Sequence, residues 1–300
     1  MWLFLVFGHA AFPAAVYCRP TLTRHPGIVD VTASPFNADP SGLKDVTLQL
    51  QNAIDFAWRE KLAVFLPVGR YLVSDTLHVN QHDCWPGDAG INIVPCRFRS
   101  NVLIGSRLAL PGARPTIVLK ESSLGFNSSD RPKNVMKITN TQQENINMNQ
   151  IIRGIDFEIE RGNPGAIALF FHGAQGSTVQ DVTVSMPYGG FAGFGGGCGA
   201  GGSHANIEVV GGSFGIFFEE SEPTPLIAGA TLIHQTQSAI VHGGGDTMVV
   251  VGARIVQLRN ATGPAVLSKI TTGWGKTAPL SLIDSSIECG DEEHAGSGIG

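Results

Sequence analysis

The sequence predicts an all-β protein: a right-handed parallel β-helix, which is a single-stranded solenoid, with a capping helix over its N-terminal end. Three observations support this fold class. A short apolar pattern recurs six times between Ile151 and Cys289, a fainter ladder runs beside it, and the repeats contain no amphipathic stretch of helical period. Helical solenoids need such stretches, so the repeats are predicted to be coils of β-strands.

The main repeat is an apolar residue, a small or apolar residue three positions later, and a third such residue two positions after that. The middle positions of successive copies are 18 to 32 residues apart. Repeats of this length are typical of solenoids, whose coils bury their apolar sides by stacking on one another. The copies are IRGIDF at 152–157, VQDVTV at 179–184, VVGGSF at 209–214, IAGATL at 227–232, VVGARI at 250–255 and LIDSSI at 282–287.

The second ladder consists of short apolar segments that each follow a small residue. We align them on Ile167, Ile216, Ile240 and Val266. A coil therefore contains at least two strands, each facing inward at alternate residues. Loops of unequal length between coils account for the irregular spacing, and such insertions often build the binding face of a solenoid.

The N-terminal third predicts the cap and the first coil. A strand is expected over 28–33, a turn over 37–42, and a helix over 46–60 that Asp45 can cap. Two strands joined by a turn are expected within 63–79. The helix carries one apolar stripe and is predicted to cover the open end of the solenoid, where strand edges need hydrogen-bond partners or cover.

This opening resembles that of a known protein family. NADPSGLKDVTLQLQNAIDFA at 37–57 and AVFLPVGRYLVSDTL at 63–77 are similar to the pectate-lyase-like superfamily, in its rhamnogalacturonase/epimerase-like domain, and to the fungal exo-β-1,3-glucanase branch in particular. The resemblance extends over residues 28–290 and implies a β-helix that acts on polysaccharides. The matching positions are Asp39, Gly42, Asp45, Thr47, Leu50, Gln51, Ala53, Ile54, Asp55, Phe65, Pro67, Gly69 and Tyr71.

The chain also departs from its relatives. It lacks the Asn-Thr-Asp, Asp-Asp, Gly-His-Gly and Arg-Ile-Lys signatures of the pectin hydrolases, and the calcium aspartates of the pectate lyases. The resemblance to the exo-glucanases implies that catalytic groups lie largely on a second β-helix, further along the chain. Because the chain ends in GDEEHAGSGIG without an evident cap, we expect a truncated β-helix over 80–300 whose partner is such a second domain.

Composition narrows the classes of partner. The net charge is −5, with 43% hydrophobic and 15% charged residues, and no basic cluster occurs. Nucleic acid and anionic membrane surfaces are therefore not expected to bind. No Cys/His spacing of a zinc site is present, and no cofactor is predicted.

Residues 1–18 predict a secretory signal peptide, followed by the cap and first coil at 19–79. The run MWLFLVFGHAAFPAAVYC is apolar and too broken by Gly8 and Pro13 to span a membrane. It lacks a basic start and a clear cleavage site, so an apolar N-terminal strand is the alternative. The predicted location is extracellular.

The candidate catalytic residues are acids and a histidine near one edge of the second ladder. Glu219 and Glu220 follow the apolar run FGIFF, and His242 and Asp246 occupy similar places one coil later. Glycoside cleavage commonly uses two carboxylates, one with a raised pKa. The alternatives are solvated turn residues for the acids and a buried core residue for His242.

A glycine-rich segment at 189–203 is predicted to be a long loop over one face. Tyr188, Phe191 and Phe194 would present flat apolar surfaces to a sugar. The alternative is a linker that packs against a neighbouring domain. A phosphate-binding loop is rejected because a strand, rather than a helix, follows the G-x-G-x-x-G pattern.

Two functions from different classes remain open. The first is a secreted glycoside hydrolase of β-1,3-glucan or pectin type that uses carboxylate acid/base catalysis, with polysaccharide lysis as a variant. The second is a non-catalytic β-helix for glycan binding or adhesion, or the N-terminal half of a larger enzyme. Asn127 and Asn260 each begin an Asn-x-Ser/Thr motif, compatible with glycosylation in a eukaryotic secretory route.

Cys84 and Cys96 are predicted to form a disulfide. They flank the turn-rich stretch CWPGDAGINIVPC, which can bring the two Cα atoms within the roughly 7 Å that a bridge needs. Non-reducing peptide mapping of the secreted protein should recover the two cysteines in one linked peptide pair. Recovery of both as free thiols from the freshly alkylated native protein would contradict the prediction.

Overall fold

The computed structural model describes residues 27–80, 100–106, 114–139, 147–197, 202–218, 226–243, 247–269 and 279–290. Within these ranges lie one helix, α1 (Thr47–Glu60), and the strands of two parallel sheets. The strands are β1 Ile28–Asp30, β2 Ser41–Asp45, β3 Ala63–Leu66, β4 Arg70–Val73, β5 Leu77–Asn80, β6 Val102–Gly105, β7 Thr116–Leu119, β8 Lys133–Thr139, β9 Ile151–Arg153, β10 Asp156–Ile159, β11 Ala166–Phe171, β12 Thr178–Met186, β13 Ala192–Gly196, β14 Ser203–Gly211, β15 Phe214–Phe218, β16 Leu226–Ile233, β17 Ser238–His242, β18 Met248–Val251, β19 Arg254–Leu258, β20 Val266–Ser268, β21 Leu280–Ile283 and β22 Ser286–Gly290.

Successive coils stack strand on strand, which confirms the predicted parallel β-helix. The fifteen-stranded sheet collects the first strand or strands of each coil, and the seven-stranded sheet, β5-β8-β11-β13-β15-β17-β20, collects the last one. The pairs between described strands are all parallel. One inward ladder crosses the coils that the structure describes, through Val29, Val64, Leu103, Ile152, Val179, His204, Ile227, Val250 and Leu282.

Five of the six predicted repeat copies lie in this register, and the third copy was placed wrongly. Their first residues, such as Val179 and Ile227, occupy one ladder. In the coil between these two copies, His204 occupies the ladder position. Val209, the first residue of the predicted third copy, instead pairs with the last residues of the neighbouring copies, Val184 and Leu232. The segment that stacks is therefore HANIEV at 204–209. A histidine in place of an aliphatic residue hid this copy from a pattern of apolar residues.

A bend divides the fifteen-stranded sheet in two, and left-handed backbone marks it in consecutive coils. Asp181 has φ 57° and Asn206 has φ 50°, and Gly229 and Gly252 follow in the next two coils with φ 67° each. Asp, Asn and Gly tolerate this region better than other residues. Asn206 Nδ2 donates a 2.8 Å hydrogen bond to Asp181 Oδ1, which ties two coils together at the bend.

The second ladder runs through Leu169, Phe194, Ile216, Ile240 and Val266. The predicted ladder named Ile167 instead of Leu169, a shift of two residues. It also omitted β13, because the glycine-rich segment was predicted to be a loop.

Close packing explains why the sequence of β13 is rich in glycine. A Cβ on Gly193 would lie 2.6 Å from Val209 Cγ2 and 2.9 Å from the carbonyl oxygen of Gly215. Glycine is found in strands where another backbone or side chain approaches this closely. The predicted long loop is therefore wrong over 192–196, where the chain forms an ordinary rung of the solenoid.

Helix α1 packs against β1, β3 and β5 and buries Leu50 and Ile54 among others, in agreement with the predicted helix. Its N-cap is Val46, and Asp45 Oδ1 instead accepts a 2.9 Å hydrogen bond from the backbone N–H of Thr47. The first strand ends early, at Asp30, and the predicted turn at 37–42 runs into strand β2. The region 63–79 contributes to three strands rather than two.

Several predictions fall on residues outside the described ranges. They concern the signal peptide, both cysteines of the predicted disulfide, Glu219, Glu220 and Asp246. Both glycosylation motifs are described: Asn127 is exposed at a bend and Asn260 is exposed in a turn. Within the described residues, no helix is long and apolar enough to span a bilayer.

His204 is an ionisable group in the apolar interior. It is fully buried, and its ring centroid lies 5.7 Å from that of Phe171, 5.6 Å from that of Phe194 and 5.2 Å from that of Phe218. Burial lowers the pKa of His204 to about 3, because the interior solvates the imidazolium poorly. The unfolded chain binds this proton near pH 6.5, so its binding lowers the stability of the fold progressively as the pH falls below that value.

His204→Leu should therefore make the fold less sensitive to acid. Below about pH 6.5 the buried histidine lowers the free energy of unfolding by up to about 1.4 kcal/mol per pH unit, and leucine removes this contribution. Denaturant unfolding at pH 7.5, 5.5 and 4.5 measures the effect. The control is His78→Gln, at an exposed position. Equal acid sensitivity of His204→Leu and the parent would contradict the assignment.

Candidate functional site

The outer face of the seven-stranded sheet carries a cavity of about 230 Å³. Its middle is set by the register of three strands, in which Phe170 of β11, Gly195 of β13 and Phe217 of β15 are neighbours. Because side chains alternate along a strand, all three positions face outward, opposite to the buried ladder of Leu169 and Phe194. The cavity thus has an aromatic residue on each side and glycine between them.

The first wall is Phe170 with His172. Their ring centroids are 4.4 Å apart, and His172 is almost fully buried. Asn147 Nδ2 donates a 2.6 Å hydrogen bond to the His172 carbonyl oxygen, which holds this end of β11 in place. Lys137 Nζ lies 5.5 Å from the centroid of the Phe170 ring, so a positive charge stands beside this wall.

The second wall is a cluster of three phenylalanines. Phe217 lies 5.0 Å from Phe191 and 4.8 Å from Phe214, measured between ring centroids. Lys269 Nζ lies 5.5 Å from the centroid of Phe217. Each wall of the cavity is therefore aromatic and has one lysine ammonium group beside it.

Polar groups lie toward the two ends of the cavity. Asn134 pairs with Ile167 across β8 and β11 and lines one end. Its Oδ1 is buried and accepts no hydrogen bond from the part of the chain that the structure describes. His172 and Gly196 lie at the other end. The arrangement, aromatic faces with a few polar groups, is that of a pocket for a ring with polar substituents.

The structure places the three predicted binding residues in different environments. Phe191 belongs to the second wall of the cavity. Phe194 is fully buried, so its predicted role as an exposed surface is wrong, because the strand register turns it inward. Tyr188 is 56% exposed in the turn after β12, where Arg161 lies 4.6 Å from its ring centroid, and it does not line the cavity.

Of the predicted catalytic residues, the structure describes His242. His242 is fully buried in β17 and pairs with Phe218, a core residue, so it faces the interior and its role as a catalytic helper is wrong. Glu219, Glu220 and Asp246 lie outside the described residues. By sequence, Glu219 directly follows Phe218, the last residue of β15, whose neighbour Phe217 belongs to the cavity wall.

The fifteen-stranded sheet carries a second set of polar residues on its outer face. Arg70 donates two hydrogen bonds to Glu158, of 2.8 and 2.9 Å, across the coils. This contact lowers the pKa of Glu158, whereas partial burial and the negative charge of Glu158 raise the pKa of Glu160. Burial also raises the pKa of Asp156, although Arg114 lies 3.1 Å from it.

These ion pairs join different coils, and Arg70 of β4 reaches Glu158 of β10 across the intervening strand β7. We assign them a structural role. The alternation of acids in DFEIE at 156–160 is a signal in the sequence for one polar face of the strand. No group of three or more His, Cys, Asp or Glu residues suited to a metal ion occurs within the described ranges.

Comparison with known proteins agrees with the fold. Residues 31–264 match the family described as rhamnogalacturonase A/epimerase, pectate lyase-like. The chain belongs to this family. The match does not identify the branch of the family, so membership of the exo-β-1,3-glucanase branch stays a prediction. No protein of curated function matches the sequence significantly.

Solved structures are similar to this family member at low identity. One is a 1,3-α-1,4-β-D-galactose-4-sulfate-3,6-anhydro-D-galactose-2-sulfate 4-galactohydrolase, with 11% identity over 88% of this chain and 71% of that chain and a TM-score of 0.50. Another is PfbA, a surface adhesin of Streptococcus pneumoniae, with 10% identity, 89% and 81% coverage and a TM-score of 0.38. A third is iota-carrageenase complexed to iota-carrageenan fragments, with 10% identity, 79% and 57% coverage and a TM-score of 0.42. At these identities the likeness concerns the fold alone.

Proposed function

We propose that this family member is a secreted, polysaccharide-active protein that binds a sugar chain at the cavity on the outer face of the seven-stranded sheet. The observation that carries the proposal is the pair of aromatic walls formed around Phe170 and Phe217. Aromatic rings offer large apolar faces at little conformational cost, and the C–H-bearing faces of sugar rings are apolar. Membership of a family named for rhamnogalacturonase and epimerase points the same way.

The charges beside the cavity favour an acidic polysaccharide. Lys137 and Lys269 place ammonium groups near the two walls, where they can pair with sugar carboxylates. The buried Oδ1 of Asn134 can accept a hydrogen bond from a sugar hydroxyl, which would satisfy an acceptor that has no partner among the described residues. A pectin-type chain fits these groups better than a neutral β-1,3-glucan.

For catalysis we propose Glu219 and Glu220 as the acid/base pair of a glycoside hydrolase, with Asp246 as a helper. One carboxylic acid would protonate the glycosidic oxygen as the C–O bond breaks. The other carboxylate would assist water, or attack the sugar carbon itself, according to the separation of the two groups. Their place in the sequence directly after β15, which forms one cavity wall, supports the assignment.

The second candidate function is glycan binding without catalysis. It is favoured by one observation: the cavity residues that the structure describes include no carboxylate. A protein of this kind would hold a glycan at a surface or for a partner domain. Because both functions use the same cavity, binding and turnover must be measured separately.

Phe217→Ala should weaken glycan binding about tenfold or more, because a stacking face of the cavity is lost. Calorimetric titration with oligogalacturonate and with laminari-oligosaccharides provides the measurement. Tyr188→Ala is the matched control, since it removes an exposed aromatic side chain that does not line the cavity. Equal loss in both variants, or no loss in Phe217→Ala, would contradict the assignment of the cavity.

Glu219→Gln and Glu220→Gln should each lower turnover by a factor of about 10² to 10⁴ with folding intact, as expected for loss of an acid or base. The substrates are polygalacturonate, rhamnogalacturonan and laminarin, assayed for new reducing ends and for unsaturated products. Unsaturated product would replace the hydrolase by a lyase. Parent protein that binds glycan but releases no product would establish the binding function, and full activity of both Gln variants would reject these acids.

A further inference from the structure

We propose that the outer face of one half of the fifteen-stranded sheet is an interface between two copies of this chain. This half consists of the strands that precede the bend in each coil. They are β1, β3, β6, β9, the beginnings of β12, β14 and β16, and then β18 and β21. The cavity lies on the other sheet, so the inference does not depend on the proposed function.

The outward side chains of this half form two apolar patches with a polar belt between them. They flank the buried ladder, because side chains alternate along a strand. The N-terminal patch consists of Ile28, Ala63, Phe65, Val102, Ile104 and Ile151. The C-terminal patch consists of Ala205, Leu226, Ala228, Val249, Val251 and Ile283. The belt consists of Arg153, Thr178, Gln180 and Ser203. Asp30 and Ser281 complete the outward positions at the two ends.

Both patches remain accessible. Leu226 is 40% exposed and Ile283 is 51% exposed, and the other members are partly exposed. The main contacts of these strands within the described ranges are with their neighbours in the sheet and along the chain, and with α1 at β1 and β3. Parallel sheets are usually covered on both faces, and extended apolar patches mark interaction sites. A partner is therefore expected on this face.

The charges of the face do not favour an oppositely charged partner. The charged residues at its outward positions are Asp30 and Arg153. Arg153 Nε lies 3.3 Å from Asp181 Oδ2 of the same chain. Asp30 Oδ1 accepts hydrogen bonds of 2.8 and 2.7 Å from the backbone N–H and the hydroxyl group of Thr32. Both charges are thus already compensated, and the face suits a partner that is itself apolar and nearly uncharged.

A second copy of the same face is such a partner, because the order patch, belt, patch is matched by its own reversal. The two copies face each other about a two-fold axis that runs parallel to the strands, between β12 and β14. This axis places β3 opposite β21 of the second copy, β6 opposite β18, β9 opposite β16 and β12 opposite β14. Each N-terminal patch then covers the C-terminal patch of the other copy, as a self-complementary interface requires.

The facing residues of the two copies match in polarity and in size. Apolar residues lie opposite apolar residues: Phe65 with Ile283, Val102 with Val249, Ile104 with Val251, and Ile151 with Leu226. Within the belt, Thr178 lies opposite Ser203. The longer polar side chains lie opposite alanine: Arg153 with Ala228, and Gln180 with Ala205. Small residues therefore leave room where large ones must be accommodated.

The area of the face is sufficient for a weak, reversible dimer. Eight strands of each copy overlap, so the shared face is about 38 Å along the solenoid and about 13 Å, or four residues, along the strands. It covers about 500 Å² on each copy and about 1,000 Å² in total, which is close to the lower limit for a specific interface. We expect a dissociation constant of about 1–100 μM.

Sedimentation equilibrium of the full chain at about 1 to 200 μM tests the interface. The parent should reach twice the mass of the chain and no larger assembly. Val249→Asp should weaken the dimer at least about tenfold, because it places an unpaired carboxylate against the apolar patch of the second copy. The matched control is Val210→Asp, a partly exposed outward position beyond the bend, in β14, which should dimerise like the parent. Thermal unfolding checks that both variants are folded.

A third variant tests the arrangement of the two copies. Ala228→Asp places a carboxylate opposite Arg153 of the second copy, where it can form an ion pair. Within one chain, β14 and β12 separate Ala228 from the strand of Arg153. The Ala228→Asp dimer should therefore be at least as tight as that of the parent. Weakening equal to that of Val249→Asp would overturn the two-fold arrangement.

A measurement on the parent alone is independent of any variant. An apolar interface should persist when sodium chloride is raised from about 0.1 to 1 M, whereas an association of exposed charges should dissociate. Dissociation by salt would overturn the proposal. So would equal weakening in Val249→Asp and Val210→Asp, because the effect is then not local to this face. A parent that stays monomeric at the highest concentration would leave the face to a different partner and would also overturn the proposal.

Discussion

The fixed register of parallel strands is the constraint on which every feature of this protein depends. Each position of a coil recurs about every 4.8 Å along the solenoid, so the residue at one position must pack against the residues at the same position in the coils on both sides. Where the position faces inward, the result is a continuous ladder such as Val179, His204 and Ile227. Where it faces outward, the same register aligns Phe170, Gly195 and Phe217 along the lining of the cavity. Core and site are therefore two faces of one arrangement.

The interior shows what this arrangement tolerates. His204 stands where the other coils have an aliphatic residue in the longest inward ladder, and three phenylalanine rings pack around it. Burial lowers the pKa of His204, so the imidazole is neutral there. At the bend, by contrast, the backbone rather than the side chain is constrained, and only Asp, Asn and Gly appear at Asp181, Asn206 and the two following coils. Stacking requires matching shape at an inward position and matching backbone conformation at a bend.

The sequence predicted the fold class, the capping helix and most of the coils, because each rests on a local pattern of apolar residues or turn chemistry. It failed at His204 and at β13, and the causes are physical. A polar residue can occupy a core position when rings surround it, and glycine can form a strand when a neighbour such as Val209 fills its space. Neither condition is local, since both are set by residues in adjacent coils that only the register brings near.

The candidate site was harder to predict for the same reason. Phe191 was selected from the glycine-rich segment, but Phe170 and Phe217 come from other coils and carry no motif. Phe194, selected with Phe191, faces the core, since a difference of three residues along a strand reverses the side on which a residue lies. In a solenoid, a site is defined across coils rather than along the chain. Aromatic residues at the same level of different coils, with a glycine between them, are a signal of such a site that alignment of coils, rather than of motifs, can recover.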